Sequence, residues 1–268
     1  MKKREIIQAK LLRLLQQYGR VSVGDAVSAL NLSEATIRRY FADLESAGKL
    51  LRVHGGVCRV SSKETGDYLF QREAFNNVAA KQAIGQAAAS LLGDHERLFF
   101  DSGTTVSECG IALGERLKSG EISDVSIVTN SLLFSDVLAS SCSLTMTGGS
   151  IRPSRKDLFG IVALENIERY NFTKAILGAD GISKDGVLTT TDEETSILAT
   201  AAIRHSQSVI ILADSSKLDR LSFSSYGKLE GKRFTLVTDT LGSPEILESL
   251  TELGINLITV KVPSHIGK

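Results

Sequence analysis

Two rhythms of apolar residues run along the chain, one spaced at three and four positions and one gathered into short unbroken runs. They predict two architectures in succession. Over residues 4–18, Ile7, Leu11, Leu14, Leu15 and Tyr18 mark one face of a helix, with Gly19 as its C-terminal cap. Residues 23–30 form a second, shorter amphipathic helix, opened by Ser22 with Asp25 and closed by Asn31 in the left-handed conformation. Ser33 opens a third helix whose apolar side is Ile37, Phe41 and Leu44 and whose end is Gly48. Residues 50–53 and 57–60 then alternate as two strands around the tight turn His54, Gly55 and Gly56, and the β-branched residues 21–23 add an edge to that hairpin. The expectation is a three-helix core with a hairpin wing, closing near Val60.

Residues 61–77 begin with a polar run, Ser61 to Gly66, and continue with Tyr68, Phe70 and Phe75. This predicts a linker whose second half docks onto a neighbour. An alanine-rich helix over 78–92 follows. Strands are expected at 98–100, 126–129, 144–147, 175–177, 209–213, 236–238 and 257–260, with helices at 104–118, 131–140, 158–170, 195–205 and 244–253. Such alternation predicts an α/β body built on a mainly parallel sheet covered on both faces. The domain organisation read from the sequence is therefore 1–60, a winged helix-turn-helix; 61–77, a linker; and 78–268, the α/β body.

Charge sharpens this division. The chain of 268 residues is formally neutral, yet residues 1–60 hold eleven Lys or Arg against five Asp or Glu, a net of +6, and the rest carries −6. A basic head on an acidic body favours a head that approaches polyanions, through counterion release and electrostatic steering. With 42% hydrophobic and 23% charged residues the chain reads as globular and cytoplasmic, without a transmembrane run or signal peptide. Cys58, Cys109 and Cys142 are isolated, and His54, His95, His205 and His265 lack metal-ligand spacing, so no metal and no cofactor is expected.

If Ile37, Phe41 and Leu44 face inward, the helical angle puts Ala35, Arg38, Arg39, Ala42 and Ser46 on the other side. The plain reading is a solvated basic face. The sharper one is a helix for the major groove, because adjacent guanidinium forks suit guanine edges and phosphates. Candidate DNA contacts are Ser33, Ala35, Thr36, Arg38, Arg39 and Tyr40, with Arg52, His54 and Gly55 from the wing. Ser33, Ala35, Thr36, Ile37, Arg38 and Arg39, followed by Leu44, Gly48, Arg52, Val53, His54, Gly55 and Gly56, resemble the N-terminal domain of DeoR-type bacterial transcriptional regulators. Tyr40 departs from that pattern, standing where the family usually has an acidic residue.

The body offers a second candidate site, since ligands of open α/β sheets collect where strand ends meet loops. Asp101, Ser102, Gly103, Thr104 and Thr105 follow the first strand and open a helix, an arrangement suited to phosphate. Thr129 and Asn130 follow the next, Gly148, Gly149 and Arg152 the third, Asp180 and Gly181 a fourth, and Asp214 and Lys217 a fifth. Arg152 and Lys217 would neutralise phosphate while Asp101, Asn130 and Asp180 hold hydroxyls, the pattern of a site for a phosphorylated sugar or polyol. Each glycine or threonine alone reads equally well as a turn or cap. The body also resembles the C-terminal sensor domain of the same regulators, similar in fold to ribose-5-phosphate isomerase.

The resemblance implies a repressor of a carbohydrate operon that binds double-stranded operator DNA, acts as a homodimer or homotetramer and answers to a phosphorylated metabolite. An enzyme is the competing class, with Asp180 as acid, Glu194 as base and Lys217 as electrostatic stabiliser. Against it, the nucleophile elbow, the P-loop and the dinucleotide fingerprint are all absent from the sequence. The reading from sequence is regulation and not catalysis.

Overall fold

A computed structural model describes residues 3–18, 20–46, 49–53, 56–59 and 70–263. The chain divides into two compact units, Met1–Asn76 and Asn77–Lys268. The first contains α1 (Lys3–Tyr18), β1 (Arg20–Ser22), α2 (Val23–Leu30), α3 (Glu34–Ser46), β2 (Leu50–Val53), β3 (Gly56–Arg59) and the short α4 (Phe70–Glu73). Ser22 and Asp25 close a reciprocal capping box at α2: the Asp25 amide donates to Ser22 Oγ at 2.9 Å and the Ser22 amide to Asp25 Oδ2 at 3.1 Å. Asn31 ends α2 at φ 51°, as expected for a left-handed cap. Ser33 Oγ accepts from the Thr36 amide at 3.4 Å, at the start of α3.

The strands form an antiparallel sheet in the order β1-β3-β2. Its tightest point is Gly56, where a β-carbon would collide with the Val21 carbonyl oxygen on β1, so only glycine lets the two strands approach. The core of this unit is Leu11, Leu15, Val21, Val23, Ala26, Ile37, Tyr40, Phe41, Leu44, Leu50 and Val57.

In the second unit, α5 (Val78–Ala89) leads into β4 (Arg97–Phe100), α6 (Thr104–Lys118), β5 (Ser126–Thr129), α7 (Phe134–Leu138) and β6 (Ser143–Met146). A hairpin of β7 (Ser150–Arg152) and β8 (Asp157–Phe159) follows, then α8 (Ile161–Glu168), β9 (Phe172–Gly178), β10 (Gly181–Ile182), β11 (Val187–Thr190) and α9 (Glu193–Arg204). β12 (Ser206–Leu212), a 3₁₀ turn (Ser215–Lys217), β13 (Ser224–Lys228), β14 (Phe234–Asp239), α10 (Pro244–Glu252) and β15 (Asn256–Val260) complete it. Seven strands lie in the order β15-β14-β12-β9-β4-β5-β6, every neighbouring pair parallel. Alternate residues serve opposite faces. Phe99, Ala175, Leu177, Val209, Ile211 and Leu236 pack with Ala163, Leu198, Ala202 and Leu250 of α8, α9 and α10. Leu98, Phe100, Ile176, Ile210, Leu212 and Val237 pack with Ile84, Val106, Leu113 and Phe134 of α5, α6 and α7.

The stretch before α8 differs from the expectation. A helix over 158–170 is predicted, but Leu158 pairs with Ile151 in the β7–β8 hairpin, and Gly160 at φ 89° breaks the chain before α8 begins. Gly149, at φ 104°, lies so close to the Phe159 carbonyl that a β-carbon would strike it, which fixes the base of the hairpin. A second small sheet, β10-β11-β13, also has no counterpart in the predicted elements.

Candidate nucleic-acid interface and strand-end site

On α3, the buried stripe is Ile37, Tyr40, Phe41 and Leu44, and the opposite side shows Ser33, Glu34, Ala35, Arg38 and Arg39 to solvent, with Thr36 half-buried. Tyr40 therefore does not belong with the proposed groove contacts: only 8% of it is exposed, and it sits three residues after Ile37 on the inward face. The Arg39 guanidinium lies 6.0 Å from its ring centre. Arg38 is paired along the helix with Glu34, 2.5 Å from Nη2 to Oε1, with both side chains more than half exposed. Arg52 is exposed on β2. His54 and Gly55 lie outside the described residues.

The second site begins at the carboxyl end of β4. Asp101, Ser102, Thr104 and Thr105 are all buried there. α6 starts at Gly103 without any side chain capping it, so its first amides keep their electropositive end open. Gly103 and Gly178, at the ends of neighbouring strands, face each other, a β-carbon on Gly103 lying 3.8 Å from the Gly178 α-carbon. At the end of β5, Asn130 is 1% exposed and its Oδ1 has no hydrogen-bond partner. Thr129 is satisfied internally: its hydroxyl donates to the Phe100 carbonyl at 2.7 Å and accepts from the Ser131 amide at 3.0 Å. That makes Thr129 a structural group.

The hairpin brings Arg152 and Arg155 to this rim. Arg152 donates from Nε to Asp157 Oδ1 (2.9 Å) and from Nη2 to Asp157 Oδ2 (2.6 Å), a bidentate pair with a fully buried carboxylate. Its Nη1 reaches Asp192 Oδ1 at 2.7 Å, Nη2 also meets Thr195 Oγ1 at 3.0 Å, and the guanidinium lies 4.7 Å from the Phe159 ring centre. Four of its five N–H groups are thereby used, so Arg152 is not the open phosphate donor read from the sequence. Arg155 meets Asp192 Oδ2 at 3.0 Å and donates to Thr191 Oγ1 at 2.9 Å. Ser102 Oγ links Asp157 Oδ2 at 3.4 Å back to the β4 end.

Asp180 accepts from the Thr190 hydroxyl at 3.1 Å and the Thr191 amide at 3.0 Å. Burial pushes the Asp101 carboxyl above the usual range, and the Asp157 charge adds to this, while the Ser102 and Gly178 amides and Arg155 oppose it. The Tyr226 hydroxyl, which donates to the Gly178 carbonyl at 2.6 Å, is pushed up by burial and then by the charges of Asp101 and Asp180.

Gly148, Gly149 and Gly181 have structural reasons to be glycine. Gly148 and Gly149 adopt positive φ, and a β-carbon at Gly181 would crowd the Arg220 carbonyl and Thr189. Lys217 lies at the end of the 3₁₀ turn after β12, two strands from Asp101, on a loop capped by Asp214. Glu194, the base of the enzyme reading, is exposed on α9. Asp157 and Asp192, which organise the arginines, were not singled out by the sequence reading. A separate cleft of about 620 Å³ lies where the strands begin; its one charged lining group, Lys174, is paired with Glu96. Among the described residues no group of three or more His, Cys, Asp or Glu could hold a metal ion, and no helix is long and apolar enough to cross a membrane.

These features define a winged helix-turn-helix protein with a parallel α/β body. The DeoR-like helix-turn-helix domain matches residues 8–63, and the DeoR C terminal sensor domain matches residues 76–240. The chain belongs to the DeoR family. It is 29% identical over 254 residues to the HTH-type transcriptional repressor GlcR of Bacillus subtilis, covering 94% of each chain. To the glycerol-3-phosphate regulon repressor of Haemophilus influenzae it is 30% identical over 241 residues, covering 88% of this chain and 90% of that one. Among solved structures, ribose 5-phosphate isomerase A of Methanocaldococcus jannaschii is similar at 17% identity and a TM-score of 0.41, over 53% of this chain and 55% of the other.

Proposed function

We propose that this protein is a DNA-binding repressor of a carbohydrate operon whose body takes a phosphorylated sugar or polyol as effector. The observation that carries the first half is the outward face of α3: Ser33, Ala35, Arg38 and Arg39 stand exposed on a helix whose other side is buried. A helix of that width, carrying two guanidinium forks, suits a major groove. Membership of a family whose relatives are named transcriptional repressors supports the same reading.

In this reading residues 1–60 hold DNA through Ser33, Ala35, Thr36, Arg38, Arg39 and Arg52, residues 61–77 link, and residues 78–268 sense and pair subunits in the cytoplasm. One head spans too few base pairs for specificity, so the working unit is a homodimer or homotetramer. The uncapped start of α6 and the unpartnered Asn130 Oδ1 support a ligand with both an anionic group and hydroxyls. Ser102, Gly103, Thr104 and Thr105 would meet the phosphate, Asp101, Asn130 and Asp180 the hydroxyls, and Lys217 would approach from the β12 end. No step of catalysis is assigned to the site.

The test is a titration of the full chain with its own upstream intergenic DNA by fluorescence anisotropy. Affinity falls steeply with rising salt, and a saturating phosphorylated sugar from a screened panel weakens it. Salt-independent binding, or equal ligand affinity of free and DNA-bound protein, would remove the respective half.

A further inference from the structure

At the head of α9 four donors converge on the Asp192 carboxylate. Asp192 Oδ1 accepts from Arg152 Nη1 at 2.7 Å and from the Thr195 amide, in the first turn of α9, at 2.9 Å. Its Oδ2 accepts from the Thr195 hydroxyl at 2.8 Å and is paired with Arg155 Nη1 at 3.0 Å. Two guanidinium groups, a helix-start amide and a hydroxyl converging on two oxygens are the donors by which proteins hold phosphoryl groups.

Ordinary helix capping asks for less. A cap needs one acceptor for an amide, and Ser22 does that work at α2 with a hydroxyl. The arginines also differ in how they are held. Asp157, fully buried on the hairpin itself, keeps a bidentate grip on Arg152, whereas Asp192 comes from a different element and its side chain is 27% exposed. Asp157 is thus the permanent counter-charge, and Asp192 the one with solvent to move into. Ser102 joins this cluster directly to the start of α6 through Asp157.

We propose that Asp192 is an intramolecular stand-in for the effector's phosphoryl group, which meets this cluster from the start of α6, across the Ser102–Asp157 contact, and takes the Arg152, Arg155 and Thr195 donors in exchange for Asp192. Asp192 then sets affinity by competition: the cluster binds an arriving phosphoryl group only as strongly as that group out-competes the resident carboxylate. This rests on the effector reading of the strand-end site given above.

The test uses the full chain and its Asp192→Asn variant. Asparagine still accepts from the Thr195 amide, so α9 keeps its cap while the competing charge is gone. Binding of glucose 6-phosphate, glycerol 3-phosphate and inorganic phosphate is measured by calorimetry, with glucose and glycerol as uncharged controls. The variant gains about tenfold in affinity for the phosphorylated probes and nothing for the controls, and adding Arg152→Gln abolishes the gain. Should Asp192→Asn unfold, Asp192→Ser retains a capping hydroxyl and is held to the same outcome. If the wild-type chain binds a phosphorylated probe and the folded variant binds it no more tightly, the stand-in is overturned and the effector reading survives. If neither protein binds any phosphorylated probe, both fall.

Discussion

Arg38 and Arg39 stand in water on α3, one loosely tied to Glu34 four residues back, whereas Arg152 and Arg155 are largely buried and each is gripped by aspartates. An exposed pair of this kind is worth little and exchanges its partner easily, so a polyanion can recruit the head's arginines at small cost. In the body, desolvation raises the stakes: a guanidinium there needs its carboxylate, and an incoming anion must replace one. The same side chain is therefore an open charge in one unit and a committed ion-pair partner in the other.

The largest test of this contrast is Arg152→Ala. It leaves Asp157 buried without its bidentate partner and is expected to cost the body about 3–5 kcal/mol of stability, read by urea unfolding of the full chain. A loss below about 1 kcal/mol would place the body's arginines in the same category as those of the head. Next is Arg39→Ala, expected to weaken operator binding by about 1–3 kcal/mol. Its unfolding free energy should stay within about 0.5 kcal/mol of the parent. A variant that bound DNA normally, or melted like Arg152→Ala, would undo the comparison from the other side.

The smallest effect concerns Asp101, whose carboxyl is raised by burial first and by Asp157 second. Because its folded-state pKa lies above the unfolded value of 3.8, the proton is held more tightly in the native state. Ionised Asp101 thus weighs against folding at pH values above its folded pKa, and the penalty vanishes below the unfolded one. Asp101→Asn is expected to melt higher than the parent at pH 7.5, with the difference closing as pH falls towards 4 and below. A gain that persists unchanged through that range would assign the effect to something other than this titration.

Much of the fold follows from local pattern. The runs at Ser126–Thr129 and Thr104–Lys118 fall where the alternation and periodicity place them, because a parallel sheet buried on both faces leaves a strong apolar signature. The Leu158 strand was hidden for the opposite reason. Its partner, Ile151, is itself 60% exposed, so the hairpin shows neither a continuous apolar run nor a clean alternation. Tyr40 was legible in principle: Ile37, Tyr40, Phe41 and Leu44 complete the three-and-four spacing of one buried face. Asp157 and Asp192 were not. An aspartate that opens a short strand or precedes a helix reads as a turn or cap, and only the folded chain brings Arg152, five residues from one and forty from the other, between them.

Asn77 adds one consequence. Held at φ 53° at the head of α5, it donates to Asp214 Oδ1 at 2.9 Å and to Ser216 Oγ at 3.3 Å. The polypeptide thus comes into its sensor half on the rim where the strands finish, moored by one amide to the loop that bears Lys217. A shift of that loop would therefore pull directly on the residue that opens α5.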